Sequence, residues 1–133
     1  MTKEDKKLLI NDICNRLPYK VKVGFDSDCG MIGEVMDYEV STKTLYVRQI
    51  TPNNDCTTSC FFPIHYFRPY LRRMSSMTAK EKKVLYEKHT EAIESEYTIA
   101  GFIVLDYLNS IHVDYRNLIQ KGLALEAPEG MYN

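Results

Sequence analysis

The sequence predicts an α+β fold: an N-terminal helix, a small curled antiparallel β-meander, and C-terminal helices packed on it. An SH3-like barrel is one closure open to such a meander. Three observations carry this expectation. Apolar residues recur at helical spacing at the start of the chain; from about residue 19 to about 64 they alternate with polar ones; from about 78 to 122 the helical spacing returns behind cap signals.

In the first segment Leu9, Ile10, Ile13 and Leu17 share one helical face. Thr2 followed by Asp5 forms a capping box with Asp in place of Glu, and Pro18 stops the helix. Tyr19, Val21, Val23 and Phe25 then alternate with Lys20, Lys22 and Gly24, the period of a half-buried strand. Asp26, Ser27, Asp28, Cys29 and Gly30 read as a turn. A second strand is expected over 31–40, with Met36, Tyr38 and Val40 on one face and Asp37 and Glu39 on the other. A third covers 45–50. A polar loop over 51–59 leads to a short strand at 60–64, which Pro63 either ends or confines to an edge. Such a meander cannot bury its apolar face alone, so helices must cover one side.

Thr78 and Glu81 make a complete capping box ahead of a charge-rich helix running to Glu96. A more apolar helix over 97–111 carries Ile99, Phe102, Ile103, Leu105 and Leu108 around more than half its circumference, and is expected at the centre of the core. Asp114 reads as the N-cap of a final short helix through Leu118 and Ile119, closed by Gly122. The tail over 127–133 looks frayed, with Met131 and Tyr132 as the residues able to dock it.

With 133 residues and formal net charge -1, the chain fits a single domain over 1–133, β-rich at about 19–64 and helical at about 78–122. No apolar stretch approaches the length of a membrane span, and the apolar run at 8–10 is too short for a signal-peptide core, so a cytoplasmic protein is expected. Cys14, Cys29, Cys56 and Cys60 are then expected as free thiols. Charge is unevenly spread: 61–73 holds three arginines and no acid, whereas 87–133 holds eight acids against three bases.

Chemistry-bearing patterns are sparse. Phosphate-binding glycine loops, the HExxH helix and the GxSxG elbow are absent from the sequence. Cys56, Cys60 and His65, with Cys29, have ligand types and a first spacing compatible with zinc, but lack a second close pair. Asp55, Cys60 and His65 have the residue types of a thiol nucleophile, yet an extended chain would put Cys60 and His65 on opposite faces. Asp26, Asp28 and Gly30 only faintly match a calcium loop, since the glycine comes one position early. His112 and Asp114 are an acid/base pair by type. Asp106 is an odd carboxylate in the most apolar helix, where burial would raise its pKa unless a tyrosine or arginine faced it. No cofactor is expected.

The densest candidate is the run from His65 to Arg73. Tyr66, Arg68, Tyr70, Arg72 and Arg73 offer rings and guanidinium groups in one strip, suited to a protein surface or to nucleic-acid bases and phosphates. The bland alternative has Phe67 and Leu71 anchoring the crossing from sheet to helices, with the arginines paired to acids of the C-terminal helices.

The stretches FRPYLRRMSSMTAKEK (67–82) and DYLNSIHVDYRNLIQKGLALEAPEGMYN (106–133) resemble a family of small uncharacterised proteins from Bacteroides-type gut bacteria and their phages or mobile elements, the likeness spanning roughly 5–133. That resemblance implies a genomic setting and carries no activity or catalytic residue. The function expected is therefore a non-enzymatic interaction or structural module with a protein partner or self-association. A nucleic-acid-binding accessory protein is the alternative, and a cysteine/histidine metal site or thiol enzyme comes third.

Overall fold

The computed structural model describes residues 1–25, 32–50, 56–94 and 99–132. Helix α1 (Lys3–Asn15) leads through a 3-10 turn (Leu17–Tyr19) into strands β1 (Lys22–Phe25), β2 (Ile32–Glu39), β3 (Thr44–Ile50) and β4 (Cys56–Pro63). A second 3-10 turn (Ile64–Tyr66) precedes β5 (Phe67–Leu71). Helices α2 (Ala79–Glu94) and α3 (Ile99–Ser110) follow, and β6 (Leu125–Glu126) closes the sheet. The strands form one open sheet in the order β4-β3-β2-β1-β5-β6, antiparallel except for the parallel β5–β6 pair. The α+β architecture read from the sequence is the one observed.

Local chemistry explains the start of each long segment. The Thr2 hydroxyl accepts from the Asp5 amide and the Asp5 carboxylate accepts from the Thr2 amide, both at 3.0 Å, so two amides that α1 leaves unpaired are satisfied. Thr78 and Glu81 repeat the exchange ahead of α2, at 3.1 and 2.9 Å. α1 ends where Pro18 enters the following turn.

The main core lies between α1 and one face of the sheet. Leu9 and Ile13 meet Val21, Val23, Val35, Leu45, Val47, Phe67 and Leu71, and Leu118, Leu123 and Ala124 close it from the C-terminal segment. Within the sheet, β2 and β3 leave so little room on the core face that a Cβ on Gly33 would lie 2.1 Å from the Val47 Cγ1 atom. At the edge of this core the Asp12 carboxylate takes Arg16 Nε and Nη2 at 3.0 and 3.1 Å and Arg116 Nη1 at 2.8 Å. Arg16 Nη2 also donates to the Val113 carbonyl at 2.8 Å, tying α1 to the segment after α3.

Three expectations are corrected. The apolar helix α3 is not the centre of the core: the main cluster contains none of its described side chains, and Phe102 is 74% exposed. It pairs with α2, and its Leu108 joins Met77 and Val113 in a smaller cluster. Apolar content gives the need for cover but not the partner, and α1, adjacent in sequence to β1, already occupies the sheet. The segment after Asp114 is a set of turns rather than a helix. Its carboxylate nonetheless does a cap's work, accepting from the Leu118 and Ile119 amides at 2.8 and 2.9 Å. In β2 a bulge between Val35 and Asp37 breaks the simple alternation, so that Val35 and Tyr38 contribute to the core while Met36 and Val40 are exposed. The expected turn at 26–30 lies outside the described residues.

Candidate functional site

Strand β5 was not expected as a strand, and it carries the centre of the aromatic and arginine strip. Phe67, Pro69 and Leu71 are buried and alternate with Arg68 and Tyr70, which face the side of the sheet opposite α1. Tyr66 lies before β5, on the 3-10 turn, with its ring against His65 at 4.5 Å and edge-on to Phe62 at 6.2 Å. Arg72 and Arg73 lie beyond its other end. Tyr70 packs over Gly24 beside Leu125, where a Cβ would come within 3.0–3.2 Å of both side chains.

The arginines after β5 are structural clamps. Arg72 grips Glu81 with both terminal nitrogens, at 2.7 and 2.8 Å, and also reaches the Ser76 carbonyl at 3.0 Å. The same carboxylate caps α2, so one Arg72–Glu81 pair fixes where that helix leaves the sheet. The Arg72 hydrogen bonds hold Glu81 down to about 2. Arg73 pairs with Glu126 at 3.0 Å in a largely exposed bridge. Structure therefore divides the strip: Tyr66 sits at one end of β5, and the two arginines at the other are paired with acids.

Two features escaped the sequence reading. The first is the length and exposure of β4, which begins at Cys56 rather than Cys60 and forms an edge of the sheet. Its sequence, CTTSCFFP, contains no charged residue. Phe61 is 68% exposed and stacks on Tyr46 at 4.6 Å, on the face away from α1. Phe62 is 42% exposed and meets Phe25 and Phe67 edge-on at 5.7 and 6.4 Å. Cys60 contributes to the core side, its Sγ 3.7 Å from the Val47 carbonyl, and burial pushes its thiol up. The signal available in the sequence was the pair Thr57 and Thr58, β-branched residues inside the stretch read as a loop.

The second feature is a cleft of about 480 Å³ at the end of the sheet face opposite α1. Lys22, Glu34 and Arg48 line it from three neighbouring strands, Lys20 from the turn after α1, and His112 and Tyr132 from the C-terminal part of the chain. Arg48 donates to Glu34 at 3.1 Å, and Lys22 Nζ to the Met131 carbonyl at 2.8 Å. The Tyr132 hydroxyl accepts from the Lys22 amide at 2.9 Å and donates to the Tyr70 carbonyl at 2.7 Å, so the tail docks between β1 and β5. Burial raises the pKa of that hydroxyl.

His112 is buried, and its ring stacks on Tyr132 with centroids 3.7 Å apart and planes within 15°. Burial, then the charges of Arg16, Lys22 and Arg72, pull it down to about 4, so the imidazole is neutral at neutral pH. It does not pair with Asp114, which is taken up by backbone amides. Asp106 is exposed and meets the Tyr19 hydroxyl, the tyrosine partner the sequence allowed for.

Among the described residues no three His, Cys, Asp or Glu side chains converge as metal ligands. Asp26, Asp28, Cys29, Gly30 and Asp55 lie outside those residues. No helix among them is long and apolar enough to cross a membrane. No family model matches the chain, and no curated protein or solved structure proves similar to it.

Proposed function

We propose that the chain is a non-enzymatic interaction module that associates with a second copy of itself by joining the two β4 edges into a continuous sheet. The observation that carries this reading is an eight-residue edge strand with no charged side chain and two exposed phenylalanines. Edge strands ordinarily carry charges, prolines or bulges that discourage further pairing, because their outward amides and carbonyls are a template for another strand. Here Pro63 stands only at the end of β4, the register irregularity against β3 falls near its start, between Cys56 and Ser59, and the stretch from Ser59 to Phe62 pairs regularly; the opposite edge, β6, is two residues long. A strand without charge also meets its own copy across a twofold axis without like-charge repulsion, and offers nothing to select an oppositely charged partner.

Sedimentation velocity over a range of protein concentrations tests this. A monomer–dimer equilibrium is expected, and Ser59→Lys, at an exposed position in the middle of β4, shifts it to monomer without unfolding the chain. A wild-type protein that stays monomeric at the highest concentration overturns the reading.

The Tyr46–Phe61 stack beside Arg48 favours one second reading, single-stranded nucleic acid bound through base stacking on the open face. Fluorescence anisotropy separates the two. Oligonucleotide binding that persists at physiological salt and is lost in Phe61→Ala would select it; no binding at low salt would reject it.

A further inference from the structure

We propose that the cleft bounded by Lys20, Lys22, Arg48 and His112 is a binding site for a phosphate monoester of a small organic molecule. The volume of about 480 Å³ exceeds what a bare phosphate fills and falls within the range of roughly 300–1,000 Å³ usual for small-molecule sites.

Among the described residues the charge lining the cleft is one-sided. Four cationic side chains, Lys20, Lys22, Arg48 and Arg72, face two carboxylates, Glu34 and Glu81. Both carboxylates are engaged by arginines, Glu34 by Arg48 and Glu81 by Arg72. The two lysines are thus the charge left over within the lining. Asp106, the acid beyond Tyr19, is held by the tyrosine hydroxyl. An anion entering here would meet two ammonium groups not neutralised by a carboxylate of the described lining.

A buried polar atom points the same way. The Nδ1 atom of His112 is shut off from solvent and has no hydrogen-bond partner among the described residues. Buried nitrogens are rarely left so. His112 lines the cleft, its other ring nitrogen is engaged by the Tyr19 backbone, and Nδ1 of the neutral imidazole can only accept, so a hydroxyl on the organic part of the ligand would supply what the chain does not.

The backbone adds a third, independent sign. Lys20 and His112 are two of four non-glycine residues with positive φ among those described, at 55° and 59°. Each ends a helical turn, Lys20 after Leu17–Tyr19 and His112 just beyond Ser110. Glycine is the easy residue at such positions. The chain instead carries a lysine and a histidine there, and both side chains line the cleft. Strained conformations of this kind gather where a side chain is needed in place.

Amide NMR spectra during titration with glycerol 1-phosphate and, separately, inorganic phosphate test the proposal at low ionic strength. Saturable shifts confined to Lys20, Lys22, Arg48 and His112 are expected, with the ester binding at least threefold tighter than the inorganic ion. Lys20→Glu, at an exposed side chain, is expected to weaken the ester tenfold or more, while Lys7→Glu, an equal charge change on the exposed surface of α1, leaves it within twofold. Shifts that never saturate, that spread over the lysines generally, or that respond equally to both substitutions overturn the site and reduce it to diffuse surface charge. Inorganic phosphate binding as tightly as the ester overturns the assignment to an organic phosphate. Neither lysine lies on β4, so the outcome is separable from that of the self-association test.

Discussion

Removing the Asp12 carboxylate is the sharpest test of how the two ends of the chain are held together. Asp12 and Arg16 are both fully buried, and the carboxylate accepts three hydrogen bonds, two from Arg16 and one from Arg116. In Asp12→Ala the Arg16 guanidinium keeps only the bond from Nη2 to the Val113 carbonyl, and Nη1 already lacks a partner. A buried cation stripped of its counter-ion costs about 3–5 kcal/mol. Against a total stability of about 5–15 kcal/mol this is a large fraction. At about 2.1 cal/mol/K of unfolding entropy per residue, 133 residues lose about 3.6 °C of Tm per kcal/mol, so the variant is expected to melt roughly 11–18 °C lower. Urea unfolding followed by circular dichroism measures the same loss as a lower midpoint at unchanged slope. The double variant Asp12→Leu/Arg16→Met removes both charges and is expected to recover most of it, because a desolvated pair is a weak net stabiliser even when breaking it is expensive. A single variant within 1 kcal/mol of wild type, or a double variant as unstable as the single one, would refute the reasoning.

Gly33→Ala places a methyl group 2.1 Å from the Val47 Cγ1 atom inside the core, and overpacking of this kind costs about 1–3 kcal/mol in thermal melts; Gly33→Ala/Val47→Ala should return part of it by opening the space. Acid unfolding is expected in two windows. The folded pKa of His112, about 4, lies below its ordinary 6.5, so the stability it contributes is complete above 6.5 and falls as the pH drops toward 4; His112→Gln flattens this limb of a stability–pH curve. The folded pKa of Glu81, about 2, lies below its ordinary 4.5, so its contribution is complete above 4.5 and falls as the pH drops toward 2; Glu81→Gln removes that lower limb and leaves the upper one.

What the sequence made legible follows the range of the forces involved. Both capping boxes are local exchanges between residues three apart, and both appear as read, Thr2 with Asp5 and Thr78 with Glu81. The alternation of Val21, Val23 and Phe25 located β1, although the expected run began too early, since Tyr19 belongs to a 3-10 turn, and Gly24 on the opposite face is covered by Tyr70. The misreadings lie where a distant partner decides. β5 hides its alternation behind Arg68 and Pro69, and only its pairing with β1 reveals Phe67 and Leu71 as core. α3 is the most apolar helix, yet α1 covers the sheet. The candidate strip fared similarly: residue types located it, but the sequence could not show that Glu81 and Glu126 would take Arg72 and Arg73.

The two proposed sites meet on one strand without competing for the same atoms. Arg48 of β3 pairs in register with Ser59 of β4, and its side chain lines the cleft. A strand added beyond β4 extends the sheet within its own plane, along the hydrogen-bonding direction, about 4.8 Å from β4. The cleft opens on a face of that sheet and is closed at its far side by the docked tail, where Tyr132 inserts between Lys22 and Tyr70. Growth at the edge and occupation of the face are therefore orthogonal. The element linking them is the Arg48–Glu34 bridge: a ligand anion that draws Arg48 away from Glu34 would leave a carboxylate that is only 8% exposed short of its cation. That cost opposes ligand binding, and it falls on the lysines to meet it, which is why Lys20, outside every strand and committed to no ion pair, is the residue on which the affinity should turn.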